Sequence, residues 1–289
     1  DLVKECGFSV FEGAVAAGGS VRGICAPGCA GMPRKQVDSL TDVVKLFKAK
    51  GLAWIAIQED GTVKSPIAKF LSEETIAALK ERMQAYNGDL LLFVADKTSV
   101  VLNALGNLRL EMGKRLNLLD DSKHEFLWVT EFPMFEYSET EGRYMAMHHP
   151  FTSPMPEHLE MMLSGNLKDC KAQAYDLVLN GVEIGGGSIR IHNPEVQEKV
   201  FRLLGLTEEQ VQEKFGFFVD AFKFGAPPHG GLAFGLDRIV ATMEGQESIR
   251  DFIAFPKNTS ASSPMDQSPS EVDLQQLQDI HISVNLGKK

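Results

Sequence analysis

The chain has 289 residues, enough for about two domains of 100 to 200 residues each. Apolar residues make up 44% of it, which excludes an intrinsically disordered protein. No run approaches the ~20 apolar residues of a membrane span. The net charge of −10 argues against a nucleic-acid-binding surface spread over the whole molecule. Residues 1–125 carry 16 basic and 16 acidic side chains, whereas residues 126–289 carry 13 and 23, so we place a domain boundary near residue 125.

The four cysteines, Cys6, Cys25, Cys29 and Cys170, are too few for a disulfide framework in a chain of this size. This fits a reducing compartment and predicts a cytoplasmic protein. The spacing of Cys25 and Cys29 is compatible with a metal site, but no second Cys or His pair has a matching interval. We therefore interpret them as ordinary thiols. The chain starts without Met or a signal-peptide layout, which is typical of a piece of a longer protein.

Residues 1–125 alternate helix and strand signals, which predicts a separate α/β module. The predicted elements are a helix over 41–50 capped by Asp38 or Ser39, a strand over 52–57, a helix from Ser72 to about Tyr86, a buried strand over 90–95 and a helix over 99–116.

From residue 126 the pattern becomes richer in β-strands. Strands are predicted over 126–130, 175–179 and 182–192, with a further hairpin from 134 to 147, followed by helices over 194–204, 208–215 and 232–244 and a loop-rich tail beyond Pro256. Asn193 is the expected cap of the first of these helices, and Thr207 with Gln210 forms a capping box for the second. The Asn180–Gly181 pair strongly favours a two-residue hairpin between the last two strands.

This hairpin brings two acidic side chains to one face of the predicted sheet. In a regular two-residue hairpin Val178 faces Glu183 and Asp176 faces Gly185, so the two carboxylates are diagonal neighbours. Two carboxylates on one face can hold Mg²⁺ against a bound phosphate, although two acids on a solvated face are the alternative. Three successive glycines, 185–187, favour the first interpretation, since glycines weaken a strand unless something lies close to its backbone.

Arg190 and the pair His148–His149 are further candidates for ligand binding. A regular strand puts Arg190 on the face opposite Glu183, whereas a bulge within the glycine run returns it to the same face, where it can grip a carboxylate with two hydrogen bonds. Spacing alone leaves both arrangements open, along with a surface Arg paired with an acid. Adjacent histidines on a strand point to opposite faces, so at most one of them faces a given pocket.

The run GGLAFGLDR, 230–238, is rich in small residues and ends in Arg238. Small residues let a flat ring or a phosphate approach the backbone, and a guanidinium can stack on a base or contact phosphate. As a bare glycine pattern the run is weak evidence, because it is neither a Walker loop nor a dinucleotide-binding fingerprint.

Together these runs resemble class II aminoacyl-tRNA synthetases, and specifically the bacterial-type aspartyl enzymes. GLAFGLDR (231–238) resembles the third signature motif of the family, YDLVLNGVEIGGGSIRIH (175–192) the aspartyl-specific strands, and HHPFTSP (148–154) a substrate-binding loop. The segments RGICAPGCAGMPRKQVD (22–38), KGLAWIAI (50–57) and SPIAKFL (65–71) resemble an insertion domain shared with an amidotransferase subunit. The likeness covers nearly the whole chain and preserves the order of its motifs.

The resemblance implies an α+β fold: part of a class II antiparallel-sheet core over 126–289, with a separate α/β insertion domain over 1–125. It implies an aspartate–tRNA ligase that uses ATP and Mg²⁺ and acts on tRNA(Asp), with tRNA(Asn) left open, as a homodimer away from membranes. The implied site residues are His148 and Arg190 for aspartate, Glu183 and the run Gly235, Leu236, Asp237 and Arg238 for ATP, and Asp176 with Glu183 for Mg²⁺.

The sequence also departs from the family pattern. We find no anticodon-binding OB-fold, no first motif that builds the dimer and no second motif with the Arg-Asp-Glu run that grips the α-phosphate. A fragment that is inactive by itself is therefore expected. The alternatives left open are another class II amino-acid ligase, a non-catalytic RNA-binding or amidotransferase-related module, and a structural fragment with no activity.

Overall fold

The computed structural model describes residues 2–120 and 122–285, and the chain forms two compact units, Asp1–Asp120 and Asp121–Lys289. Both units combine helices with antiparallel sheets, so the predicted α+β class is confirmed. Among the described residues no helix is both long and apolar enough to cross a membrane.

The first unit is a four-stranded antiparallel sheet with helices on its two faces. Its elements are α1 (Ser9–Ala16), β1 (Ser20–Ala26), α2 (Arg34–Leu46), β2 (Ala53–Ile57), β3 (Val63–Lys64), α3 (Glu73–Arg82), β4 (Leu90–Asp96) and α4 (Thr98–Arg115). The strand order is β1-β4-β2-β3.

The central strand β4 supplies the core on both faces of this sheet, because side chains alternate along a strand. Leu90, Leu92 and Val94 pack with α2 and α4, whereas Leu91 and Phe93 pack with residues of α1 and α3. Burial of each such side chain contributes about 1.5–3 kcal/mol. The continuous apolar run predicted as a buried strand is thus confirmed.

A buried carboxylate, Asp89, fixes the turn that enters β4. Its oxygens accept hydrogen bonds from the backbone N–H groups of Gly28 and Tyr86 and from the Cys25 thiol. Burial alone raises the pKa of Asp89, but these donors bring it below its ordinary value of 3.8. Burial and the neighbouring Asp89 charge raise the pKa of Cys25 to about 11, and the same two causes raise that of Cys29, so both are protonated thiols at neutral pH.

Two predictions for this unit differ from the structure. The helix predicted over 41–50 begins at Arg34 and ends at Leu46. Asp38 is therefore not a cap but lies inside the helix, where it pairs with Arg34 at 2.7 Å, one turn away.

Helix α1 and strand β1 were not predicted, because the small residues around Gly13 and Gly18 carry little apolar periodicity. The Ser72 cap is confirmed: its hydroxyl accepts from the Thr75 N–H.

The second unit contains a four-stranded antiparallel sheet, ordered β10-β9-β8-β5, and a separate hairpin of β6 with β7. Its elements are β5 (Phe126–Thr130), β6 (Phe135–Ser138), β7 (Arg143–Ala146), α5 (Leu159–Leu163), β8 (Ala174–Leu179), β9 (Val182–Ile189), α6 (Pro194–Leu203), α7 (Glu208–Ala221), β10 (Gly230–Phe234), α8 (Leu236–Met243) and α9 (Leu274–Asp279).

Local capping signals in this unit are confirmed, but two helix boundaries were wrong. Asn193 caps α6, and Thr207 with Gln210 forms the capping box of α7. The helix predicted over 232–244 begins only at Leu236, because the preceding residues form β10 and pair with β9. Helix α7 extends beyond residue 215, and α9 lies in the tail predicted as loop.

Candidate active site

The β8–β9 hairpin positions the candidate residues. Asn180 and Gly181 have φ values of 49° and 80°, as a type I′ turn requires, and Leu179 pairs with Val182. The register then shifts, so that Val178 faces Glu183 but Leu177 faces Gly185. The predicted pairing of Asp176 with Gly185 was therefore wrong: Asp176 faces Gly186. The shift adds one residue next to the glycine run rather than within it.

Gly186 lies between the two acidic side chains and leaves room for both. A Cβ built on Gly186 would lie 2.4 Å from Asp176 Oδ1 and 3.5 Å from Glu183 Oε1. The two carboxylates therefore converge on one face of the sheet, over a position where a side chain would displace that of Asp176 and contact that of Glu183. Among the described residues no group of three or more Cys, His, Asp and Glu could hold a metal ion. Two carboxylates that leave room for phosphate oxygens and water suit Mg²⁺, which keeps several water ligands.

The other two glycines of the run accommodate neighbours on the sheet. A Cβ on Gly187 would lie 1.9 Å from the carbonyl oxygen of Gly231, and one on Gly185 would lie 2.7 Å from Cδ1 of Phe234. The Tyr175 side chain crosses β9 beside Gly187 and donates a hydrogen bond to that same Gly231 oxygen, at 3.0 Å. These glycines thus let β10 and Tyr175 approach β9 closely.

Arg190 lies at the end of β9, on the same face as Gly186, since it follows that residue by four positions in an extended backbone. Its Nη1 contacts the ring of His149, at 3.1 Å from Nδ1 and closer to Nε2. The Phe151 N–H points to Nδ1 of the same ring at 3.2 Å. The structure therefore brings Arg190 to the side of the sheet that carries the carboxylates, and places His149 against it.

The electrostatics of this pair leave one positive charge. Burial lowers the pKa of His149 below its ordinary value of 6.5, and the positive charge of Arg190 lowers it further. The imidazole is therefore neutral at pH 7, and Arg190 supplies the cation. A half-buried guanidinium beside a neutral ring is suited to a carboxylate ligand.

His148 lies apart from this contact. Its ring is exposed and packs edge-on against Phe132, with centroids 5.0 Å apart. Of the two adjacent histidines, His149 is the one beside Arg190 in this structure. The sequence could not distinguish them, because strand alternation predicts only that the two rings point apart.

The run that ends in Arg238 lies across the start of β9. The Gly235 N–H donates to the Ile184 carbonyl at 3.0 Å, and Arg238 Nη1 donates to the Glu183 carbonyl at 2.6 Å. Leu236 is 72% exposed, Asp237 is half-buried and Arg238 is exposed. The strand β10 and the first turn of α8 therefore hold Arg238 next to the residue that carries one of the two carboxylates.

Buried polar residues support this site, and sequence patterns did not indicate them. Thr152 and Ser188 are 2% and 3% exposed, and the Thr152 hydroxyl lies 3.3 Å from His149 Nδ1 and 3.5 Å from the Ser188 hydroxyl. Gln197 of α6 is 1% exposed and donates to the Pro150 carbonyl. Isolated Thr, Ser and Gln carry no signal of burial, so only the fold reveals them.

The family model for class II tRNA synthetases (D, K and N) matches residues 34–259, which include the hairpin, its glycine run and Arg238. The chain belongs to this family, and the resemblance predicted from its motifs is confirmed. The match extends over most of the chain.

Curated relatives narrow the similarity further. The chain is 56% identical over 284 residues to the aspartate–tRNA ligase of Ruminiclostridium cellulolyticum, covering 98% of this chain and 48% of that protein. It is 56% identical over 283 residues to the aspartate–tRNA ligase of Clostridium perfringens, covering 98% and 47%. It is 54% identical over 285 residues to the aspartate–tRNA(Asp/Asn) ligase of Halothermothrix orenii, covering 99% and 48%. The chain thus spans about half the length of these relatives.

Proposed function

We propose that this chain carries the amino-acid and ATP-binding part of an aspartate–tRNA ligase, the activity named for its relatives. The observation that carries the proposal is the convergence of Asp176 and Glu183 over Gly186, on the sheet face that also bears Arg190. A cation and a pair of anions on one surface suit a substrate with a free carboxylate and a magnesium-bound nucleotide.

In this proposal Arg190 binds the side-chain carboxylate of aspartate, with His148 as a further contact. The neutral His149 ring fixes the guanidinium without adding charge, so this pair presents a single cation. A neutral analogue such as asparagine would leave that cation without its partner in a half-buried site, which disfavours its binding.

ATP binds along Glu183 and the run Gly235, Leu236, Asp237 and Arg238, with the Arg238 guanidinium as the nucleotide contact. Asp176 and Glu183 would hold Mg²⁺, which when bound would neutralise phosphate charge. Attack of the aspartate α-carboxylate on the α-phosphorus of ATP gives aspartyl-adenylate and releases pyrophosphate, and attack of the tRNA 3′-hydroxyl on the aspartyl carbonyl then gives aspartyl-tRNA and releases AMP. The chain's residues contribute through position and charge, without a covalent step on the protein.

Three further parts of the proposal concern the whole protein. The first unit is an insertion domain, as its resemblance implies, and the ligase acts as a cytoplasmic homodimer. Its substrate is tRNA(Asp). Relatives named aspartate–tRNA ligase and aspartate–tRNA(Asp/Asn) ligase are similarly identical to this chain, so an assay with both tRNAs is needed to decide whether tRNA(Asn) is also charged.

The test uses a chimera in which this chain replaces the matching segment of the Clostridium perfringens ligase. ATP–pyrophosphate exchange is expected with aspartate and not with asparagine or lysine. Arg190→Lys is expected to lose most of kcat/KM for aspartate while ATP binding persists, because lysine lacks the planar guanidinium fork. The matched control is Arg202→Lys, an exposed arginine paired with Glu198, which is expected to be neutral.

Two results would contradict the proposal. Near-normal aspartate kinetics in the Arg190→Lys chimera would remove the proposed role of Arg190. Exchange with a different amino acid would point to another ligase of the class. The 289-residue chain alone is expected to show no exchange, since no run for gripping the α-phosphate is found in its sequence.

A further inference from the structure

A buried glutamine underlies the loop that carries His149. Gln197 lies on α6 with 1% of its surface exposed, and its Nε2 donates to the carbonyl oxygen of Pro150 at 2.8 Å. Its Oε1 is buried and has no hydrogen-bond partner among the described residues. An unpaired buried amide oxygen is destabilising, so the hydrogen bond to Pro150 is made although the other end of the same amide has no partner.

The peptide that Gln197 holds lies between His149 and Phe151. Pro150 has no N–H, so its carbonyl is the backbone hydrogen-bonding group through which this residue can be anchored. The next residues are fixed to the sheet from the other side: Ile191 N–H donates to the Phe151 carbonyl and Ser153 N–H to the Ile189 carbonyl, both at 2.9 Å. Gln197 supplies the matching anchor on the side of His149.

We propose that Gln197 is a positioning residue that, through the Pro150 carbonyl, holds the His149 ring against Arg190 and so sets the place of the guanidinium in the site. This inference rests on the proposed function, in which Arg190 binds the substrate carboxylate. In this proposal Gln197 of α6 affects aspartate binding through the position of Arg190 and does not contact the substrate.

The consequence of losing this anchor is specific. Without the amide donor, the Pro150 carbonyl loses its anchor, and the backbone beside His149 can shift and weaken the contact that orients Arg190 Nη1. The ring keeps its contacts with the Phe151 N–H and the Thr152 hydroxyl, so the expected change is a displacement of the ring and not its release. Displacement of a binding group by ~1 Å can cost up to 10²-fold in rate. The residues that face the nucleotide lie on β9 and α8 and are not attached to this loop by Gln197, so ATP binding is expected to be unaffected.

The first test is made on the chain itself by NMR titration of the His149 imidazole, identified by its loss in His149→Gln. Burial lowers the pKa of the ring most, and the nearby Arg190 and His148 lower it further. In Gln197→Met the ring is expected to move away from Arg190, and its pKa to rise toward the ordinary value. The matched control is Val200→Ala, a fully buried change on the same helix, which is expected to leave the titration unchanged.

The second test measures kinetics in the chimera described above. Gln197→Met is expected to raise KM for aspartate about tenfold and to leave KM for ATP unchanged. The tenfold figure lies between the effect of losing one hydrogen bond and the effect of displacing a binding group by ~1 Å. Gln197→Asn, whose shorter amide withdraws from Pro150, is expected to act in the same direction and serves if the methionine variant does not fold. Val200→Ala is expected to leave both KM values unchanged.

An unchanged His149 titration in the folded Gln197 variants would overturn the inference, as would an equal rise of KM for aspartate and for ATP. Failure of the proposed function is distinguishable, because it would appear as an unmutated chimera that does not activate aspartate. The titration would still decide whether Gln197 positions His149.

Discussion

Gly186→Ala tests whether the two carboxylates act together. The added Cβ would lie 2.4 Å from Asp176 Oδ1, whereas ordinary contacts begin at 3.4 Å, so the oxygen must retreat by about 1 Å. Glu183 Oε1, at 3.5 Å, would be in contact with the new methyl group but need not move. The substitution is therefore expected to separate the pair while leaving both charges present.

The expected effect is a loss of activity without a loss of stability. A shift of about 1 Å in a charged ligand predicts a decrease of up to 10²-fold in kcat/KM and a higher Mg²⁺ concentration at half-maximal rate. Gly186 is not among the residues with positive φ, so alanine fits its backbone. Alanine is also better than glycine in a strand by about 0.5–1 kcal/mol, and the free energy of unfolding is expected to change by no more than that.

The assay is ATP–pyrophosphate exchange in the chimera as a function of Mg²⁺ concentration, beside urea unfolding. Asp176→Asn, which keeps the side chain's size and removes its charge, is likewise expected to raise the Mg²⁺ concentration at half-maximal rate. Gly106→Ala on α4, where a Cβ meets no atom within 4 Å, controls for the substitution itself. A wild-type rate and Mg²⁺ dependence in Gly186→Ala would refute the reasoning.

Three other substitutions test the structure. Asp89→Asn is expected to cost about 2 kcal/mol of unfolding free energy at pH 7, because asparagine has one acceptor oxygen and its NH₂ group cannot replace the second oxygen that accepts from Gly28, Tyr86 and Cys25. Because the pKa of Asp89 is lowered in the folded state, its contribution to the free energy of unfolding is complete above the unfolded-state pKa and is lost as the pH falls through the folded-state pKa. Between pH 5 and pH 3 the variant is therefore expected to lose less stability than the unsubstituted protein. An identical acid dependence of the two proteins in urea titrations would contradict this. Asn193→Ala removes the cap that accepts from the Glu195 and Val196 N–H groups and is expected to cost about 1 kcal/mol in urea unfolding, whereas Asn193→Ser is expected to retain most of it. Tyr175→Phe removes the hydrogen bond to Gly231 and is expected to cost about 1 kcal/mol and to speed amide exchange along β10; unchanged exchange there would show that Tyr175 does not hold that strand.

Much of the fold could be predicted where its cause is local. The Asn180–Gly181 turn, the Asn193 cap and the Thr207–Gln210 capping box each depend on a few neighbouring residues, and each is confirmed. The continuous apolar run of β4 was recognisable for the same reason. The start of α8 could not be placed because it depends on distant partners: residues 232–234 are extended because they pair with Gly185, Gly186 and Gly187 of β9, which the local sequence does not show.

The same distinction between local and distant causes applies to the candidate site. Its charged residues could be found from sequence because two carboxylates flanking a tight hairpin and a glycine run form an unusual pattern. The register shift opposite Leu177 could not be located, since it moves Asp176 from Gly185 to Gly186 without any residue that requires it. That single step decides which glycine leaves room for the carboxylates. Each glycine of the run therefore meets a separate requirement. Gly185 and Gly187 accommodate β10 and Tyr175, whereas Gly186 leaves room for the carboxylates of Asp176 and Glu183. Alanine at position 185 or 187 should therefore disturb the packing of the sheet, and alanine at position 186 the proposed Mg²⁺ site.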